Sequence, residues 1–210
     1  MITQHLLRSR LLAAISTTPS VESIAISASI IALTGAVGLP YGLQSGFLQC
    51  PHEEKENLDC SAIITDEMIK STTKTSNVTL SLGILARIFI TPALAEEILF
   101  RCLPLPHPTE NMQFRQVLPI AIASCAVFVL YHPLAGRTVF RGKRLGDVAL
   151  QDGRFLVLAS LMGLACTSCY LVTGSLWVPV FVHWGFVAVW QFALGGNEMV
   201  KGTKQHSSKK

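Results

Sequence analysis

The strongest constraint on this chain is a set of stretches long enough to cross a bilayer and almost free of charge. Ser23 to Pro51 has no charged residue, Thr75 to Ala95 has only Arg87, and Gln116 to Tyr131 has none. Phe155 to Asn197 lacks Asp, Glu, Lys and Arg and holds a single histidine, His183. A spanning helix takes roughly 20 mainly apolar residues, so the last run is long enough for two. A break is expected at Val172 to Trp177, where Gly174 and Ser175 supply turn chemistry. Half of the residues are apolar and 14% are charged, against about a quarter charged in ordinary soluble domains. The expected fold is an all-α integral membrane protein, with about five hydrophobic helices forming a polytopic bundle. The bilayer is its first partner, and nothing in the composition suggests nucleic acid.

The segments between the runs differ in character. Cys50 to Asn77 is acidic and then rich in Thr, Ser and Lys, as expected of an exposed loop. Arg137 to Arg154 carries five basic and two acidic residues, and Lys201 to Lys210 carries four lysines and no acid. The positive-inside rule places both basic segments on the cytoplasmic or stromal side. Arg8 and Arg10 suggest the same side for the N-terminus, yet five crossings put the two ends on opposite faces. Either the first segment does not span or the N-terminus is a processed leader. Met1 to Val21 has two arginines, several Ser and Thr and no acid, a composition similar to a transit peptide.

Of the six cysteines, Cys50 and Cys60 flank the acidic loop and could pair in an oxidising compartment. Cys166 and Cys169 have redox-motif spacing but sit in an apolar helix with no second cysteine pair or nearby histidine for zinc, which points to small-residue helix packing. Asn77-Val78-Thr79 matches a glycosylation sequon but abuts a membrane run.

Against this background the stretch "PALAEEILFRCLPLP" stands out. A charged side chain at a helix centre costs about 2.5 to 3.5 kcal/mol on insertion scales and marks a functional site or a buried pair. If Ile84 to Leu103 is helical, Glu97 and Arg101 are four apart on nearly one face and neutralise each other. Glu96 is left over, about 100° around the helix, and a carboxylate so placed can take a proton from water. The alternative is a structural network in which Arg87 and Arg101 hold both glutamates. His132 ends the run "AVFVLYHP", four residues after Phe128, and His183 lies within "WVPVFVHWGF". A lone histidine on an apolar helix is more often a satisfied core residue than a catalytic one. Ionisable residues on three helices of one small protein are most simply explained by a shared intramembrane polar cavity.

The three patterns together resemble the motifs of the CPBP family, the type II CAAX prenyl endopeptidases and their bacteriocin-processing relatives. "EEILFR" (Glu96 to Arg101) matches EExxxR, "FVLYH" (Phe128 to His132) matches FxxxH, and His183 stands where the third motif places its histidine. "FRCLPLPHP" and "YLVTGSLWVPVFVHW" are similar to the cyanobacterial and plastid branch. The resemblance implies a membrane endopeptidase acting on a membrane-associated peptide, of which a prenylated CaaX tail is the name-giving case. Glu96, His132 and His183 would be catalytic, and Glu97, Arg101 and Phe128 supporting. In that arrangement Glu96, assisted by His132, activates water and His183 stabilises the oxyanion. The family often has Asn or Asp four residues after the last histidine; here that position is Val187, and Gln191, a turn further on, is a candidate substitute.

No cofactor is required by this mechanism, although one carboxylate and two imidazoles could also complete a zinc shell with water. The chain lacks HExxH, paired GxGD-type aspartates and GxSG. The expected organisation is a leader or tail at 1–22, a first hydrophobic helix and polar loop at 23–76, a catalytic core at 77–200 and a basic tail at 201–210. Plastid or thylakoid, cyanobacterial and endoplasmic reticulum membranes all stay open. Two other function classes remain. A catalytically silent scaffold or assembly factor would keep the pocket, and Val187 suits it. A proton-coupled carrier would use the same residues but is expected to show internal repeats, and none is found.

Overall fold

The structure is a computed structural model that describes residues 2–49, 75–143 and 145–196, with side chains from 82 onward in the second stretch. Cys50, Cys60, the loop around them and the basic tail lie outside the described residues. Every described element is helical: α1 (Ile2–Ser16), α2 (Val21–Gln44), α3 (Thr75–Ile88), a broken helical segment over residues 89–102, α4 (Phe114–Thr138), α5 (Gly153–Thr173) and α6 (Trp177–Ala193). Among them α2, α4 and α5 are long and apolar enough to cross a membrane, and α6 is a shorter apolar helix. With α3 and its broken continuation this gives the five hydrophobic segments expected. Asn77 falls in the first turn of α3.

Local chemistry explains where the helices start and stop. The Ser20 hydroxyl caps α2 by accepting from the Ser23 amide at 3.2 Å. Asp152 caps α5 by accepting from the Arg154 amide at 2.8 Å. Gly174 ends α5 in the left-handed region at φ 66°. It also separates α5 from α6, so the hairpin breaks inside the expected stretch.

α3 departs from expectation. The pairing of Glu97 with Arg101 supposes a helix over Ile84 to Leu103, but Thr91 is extended at φ −141°, ψ 110°. Proline has no backbone N–H and disfavours helical geometry in the residue before it, so Thr91-Pro92 interrupts the helix. Phe89–Leu94 is thus a kink between two helices, after which Ala95–Glu97 is α-helical and Ile98–Cys102 is wound as π-helix. Local rewinding of this kind is concentrated at functional sites.

Hydrogen bonds group the connections at two ends of the bundle. At one end the Arg154 Nη1 donates to the Ser45 carbonyl at 2.8 Å, the Gln49 amide to the Leu194 carbonyl at 3.2 Å, and Arg137 to Gln151 at 3.1 Å. The basic 137–154 stretch therefore sits there. At the other end are α1, residues 103–110 and the α5–α6 turn. α1 occupies the face opposite the basic stretch, as five crossings require. It is also docked: Ala14 is fully buried in a cluster with Ala93, Cys102, Leu105, Tyr170 and Val180.

α5 is the central helix, packed against α2, α4 and α6. Its Cys166 and Cys169 are free and fully buried, packed with Val182 of α6 and flanked by Ile30 and Ile31 of α2. Leu118, Ile122, Leu130 and Leu134, spaced by multiples of four on α4, are exposed and form an outward apolar stripe suited to lipid.

Candidate active site

The π-wound turn after Glu97 leaves the four-residue spacing to Arg101 intact. Arg101 Nη1 donates to Glu97 Oε1 at 3.0 Å, and both side chains are fully buried. Arg101 Nη2 donates to the Gly163 carbonyl of α5 at 3.2 Å. The guanidinium carbon lies 4.2 Å from the centre of the Phe128 ring, a cation–π contact that gives this aromatic its place in the site. Gly163 has to be small here. A Cβ on it would meet Phe128 Cδ1 at 3.1 Å, Cys125 Sγ at 3.2 Å and Arg101 Nη2 at 3.3 Å.

α6 brings His183 to the same carboxylate. His183 Nδ1 donates to Glu97 Oε1 at 2.7 Å, and its Nε2 is 3.9 Å from Glu96 Oε2. Arg101, Glu97, His183 and Glu96 thus form a row of alternating charge-bearing groups across two elements. Glu96 Oε2 and Glu97 Oε2 are buried without a protein hydrogen-bond partner. The supporting role expected of Glu97 is wider than neutralising Arg101, since it also holds His183.

His132 stands on α4 with its Nδ1 donating to the Phe128 carbonyl at 2.9 Å, which leaves Nε2 as the free acceptor. Its ring packs edge-on to Phe128 and Phe155, with centroids 4.8 and 5.2 Å away. Glu96, His132 and His183 all line one open-sided cavity of about 1030 Å³, bordered by α2, α3, α4, α5 and α6. Between the described residues no hydrogen bond joins His132 to Glu96 or His183, so His132 meets the Glu96–His183 pair across a common space. Arg87 lines the same cavity but forms no ion pair with Glu96 or Glu97. Among the described residues no three His, Cys, Asp or Glu side chains are gathered to hold a metal ion.

A family model described as type II CAAX prenyl endopeptidase Rce1-like matches residues 78–189, just over half of the chain. The chain belongs to this family. It is therefore a multi-pass integral membrane protein of a family of membrane-embedded CAAX-type proteases. No curated protein and no solved structure matches the chain. The Rce1-like match contains Glu96, Glu97, Arg101, Phe128, His132 and His183, and excludes α1 and α2. Val187 and Gln191 both line the cavity, and Gln191 is buried. Beyond His183, α6 offers the Gln191 amide on the cavity wall, beside the Trp190 indole.

Sequence reasoning missed the contact between His183 and Glu97. The two are 86 residues apart, and no periodicity relates them. Gly163 was missed as well, because a glycine in an apolar helix carries no mark of the guanidinium it accommodates.

Proposed function

We propose that this Rce1-like chain is an intramembrane endopeptidase with residues 77–200 as its catalytic core. Glu96 is the general base. It takes a proton from water as the oxygen bonds to the peptide carbonyl carbon, and it returns that proton to the leaving nitrogen as the C–N bond breaks. His132, whose Nδ1 is committed to the Phe128 carbonyl, holds the water through Nε2. His183 donates through Nε2 to the developing oxyanion. Because its Nδ1 already donates to Glu97, that role requires the doubly protonated imidazolium, and the Glu97 carboxylate supplies the compensating charge. Arg101 and Phe128 hold Glu97 in place.

The observation that carries the proposal is the shared cavity wall. A buried carboxylate oxygen without a protein partner faces a histidine 3.9 Å away, in a space large enough for a peptide. The substrate is a membrane-associated peptide of the prenylated CaaX type. The discriminating experiment is hydrolysis of such a peptide by purified protein in bilayers, comparing wild type with Glu96→Gln. Loss of turnover with the fold retained supports the enzyme. Equal turnover in both removes Glu96 as the base, and no turnover in either protein with all membrane phenotypes unchanged supports the silent scaffold.

A further inference from the structure

α1 lies outside the matched region and carries none of the proposed catalytic groups, yet it is hydrogen-bonded to the chain that leaves the glutamate-bearing segment and to the start of the His183 helix. Arg10 Nε and Nη2 donate to Glu110 Oε1 and Oε2 at 2.8 and 2.7 Å, a bidentate pair. Arg10 Nη1 also reaches the Leu103 and Pro104 carbonyls at 3.3 Å each. One side chain thus grips both ends of the chain leaving Glu96 and Glu97, and Glu110 Oε1 further accepts from the His107 amide at 2.7 Å. One turn later α1 reaches the other element. The Ala14 carbonyl accepts from the Leu176 amide at 2.9 Å, and the Ile15 carbonyl accepts from Trp177 Nε1 at 3.0 Å. Leu176 and Trp177 begin α6, the helix that carries His183.

Thr17 and His107 close the same joint. His107 Nε2 lies 3.0 Å from the Gly174 carbonyl and 3.3 Å from Thr17 Oγ1, while its Nδ1 accepts from the Thr109 amide at 3.3 Å. Gly174 is held at φ 66°, and a Cβ there would come within 2.9 Å of His107 Nε2. The turn between α5 and α6, the loop after the glutamates and the end of α1 therefore interlock.

We infer that α1 is a strap setting the separation between the glutamate-bearing segment and the His183 helix, with Arg10 as its positioning residue. The geometry gives it leverage. The Glu97–His183 contact is a 2.7 Å bond between two elements, and along the bundle α6 is otherwise hydrogen-bonded to the glutamate-side chain by Trp184 Nε1 on the Leu85 carbonyl at 3.0 Å. Releasing the strap lets the far ends of both elements splay. A displacement near 1 Å at reacting groups costs on the order of 100-fold in rate. This inference concerns the geometry of the site and, for its effect on turnover, rests on the protease proposal.

The test uses the full chain in lipid bilayers with histidine labelled at its ring nitrogens, and the His183 signals are assigned by comparison with His183→Gln. Arg10→Gln and Glu110→Gln should each move or broaden the His183 ring resonances. They should also lower kcat by about 10- to 100-fold with KM little changed, and Arg10→Lys should restore part of both effects. Unchanged His183 resonances and kcat in both variants, with only a lower Tm, overturn the strap. Resonances that move in a protein that cleaves no peptide keep the strap and sink the protease. Should Arg10→Gln fail to insert, Glu110→Gln and Arg10→Lys carry the same comparison.

Discussion

Replacing Glu97 by glutamine removes the charge at the centre of the row while keeping its shape. In the native protein Glu97 is fully buried and its Oε1 accepts from both Arg101 Nη1 and His183 Nδ1. The amide oxygen of glutamine can still accept, but the guanidinium is left in an apolar bundle with neutral partners alone, that oxygen, the Gly163 carbonyl and the Phe128 ring. Breaking a buried pair in this way costs about 3 to 5 kcal/mol, and the cation–π contact at 4.2 Å offsets about 1 to 2 kcal/mol of it in a desolvated setting. The net loss is about 1 to 4 kcal/mol, equivalent to about 2 to 16 °C in Tm for a chain of this size. Thermal unfolding in bilayers or mild detergent, with membrane accumulation as a second readout, measures it. Glu96→Gln is the control, because Glu96 accepts no hydrogen bond from Arg101 and the His183 ring keeps its 2.7 Å hydrogen bond to Glu97. A Glu97→Gln protein as stable as wild type, beside a destabilised Glu96→Gln, would refute the assignment of Glu97 as the structural anion.

Other outcomes follow from the same geometry. Glu96→Gln should lower kcat for peptide hydrolysis by about 100- to 10,000-fold while Tm stays within about 1 to 2 °C, and retained turnover would remove Glu96 as the base. Gly163→Ala places a methyl group 3.1 to 3.3 Å from Phe128, Cys125 and Arg101 and should destabilise by about 1 to 3 kcal/mol; an unchanged Tm would mean that the guanidinium has room to move. Acid should loosen α1. Its hydrogen bonds from Arg10 hold the Glu110 carboxyl below its ordinary value of 4.5, so the stability it contributes is present above that pH and lost as pH falls through the lowered value. Tm should therefore drop more steeply below about pH 4.5 in wild type than in Glu110→Gln, and parallel profiles would contradict this.

How much of this was legible beforehand depends on the range of each interaction. The helices were legible because burial in lipid is recorded locally, as uncharged runs with turn residues such as Gly174 between them. The Glu97–Arg101 pair was legible because four residues make one helical turn. Pro92 was visible too, yet its effect was not anticipated, and the π-winding after Glu97 has no marker in residue type. Contacts across the fold left less trace. Arg10 and Glu110 are 100 residues apart, so nothing in the stretch around Arg10 marked its counterion. His183 and Glu97 were connected only by the family motifs, which say which residues matter but not that one holds the other.

α2 furnishes a wall of the cavity through Ile24, Ser27, Ile31, Thr34, Gly35 and Gly38, and its only charged residue is Glu22 in the first turn. It lies wholly outside the matched family region. One wall of the surface against which a guest would fit is thus encoded apart from the groups that would break a bond. Side chains on α2 can be exchanged for larger or smaller apolar ones without disturbing any member of the charged row. Substrate preference in such a protein can drift while its chemistry is held still, and two chains with identical motifs need not accept the same guest.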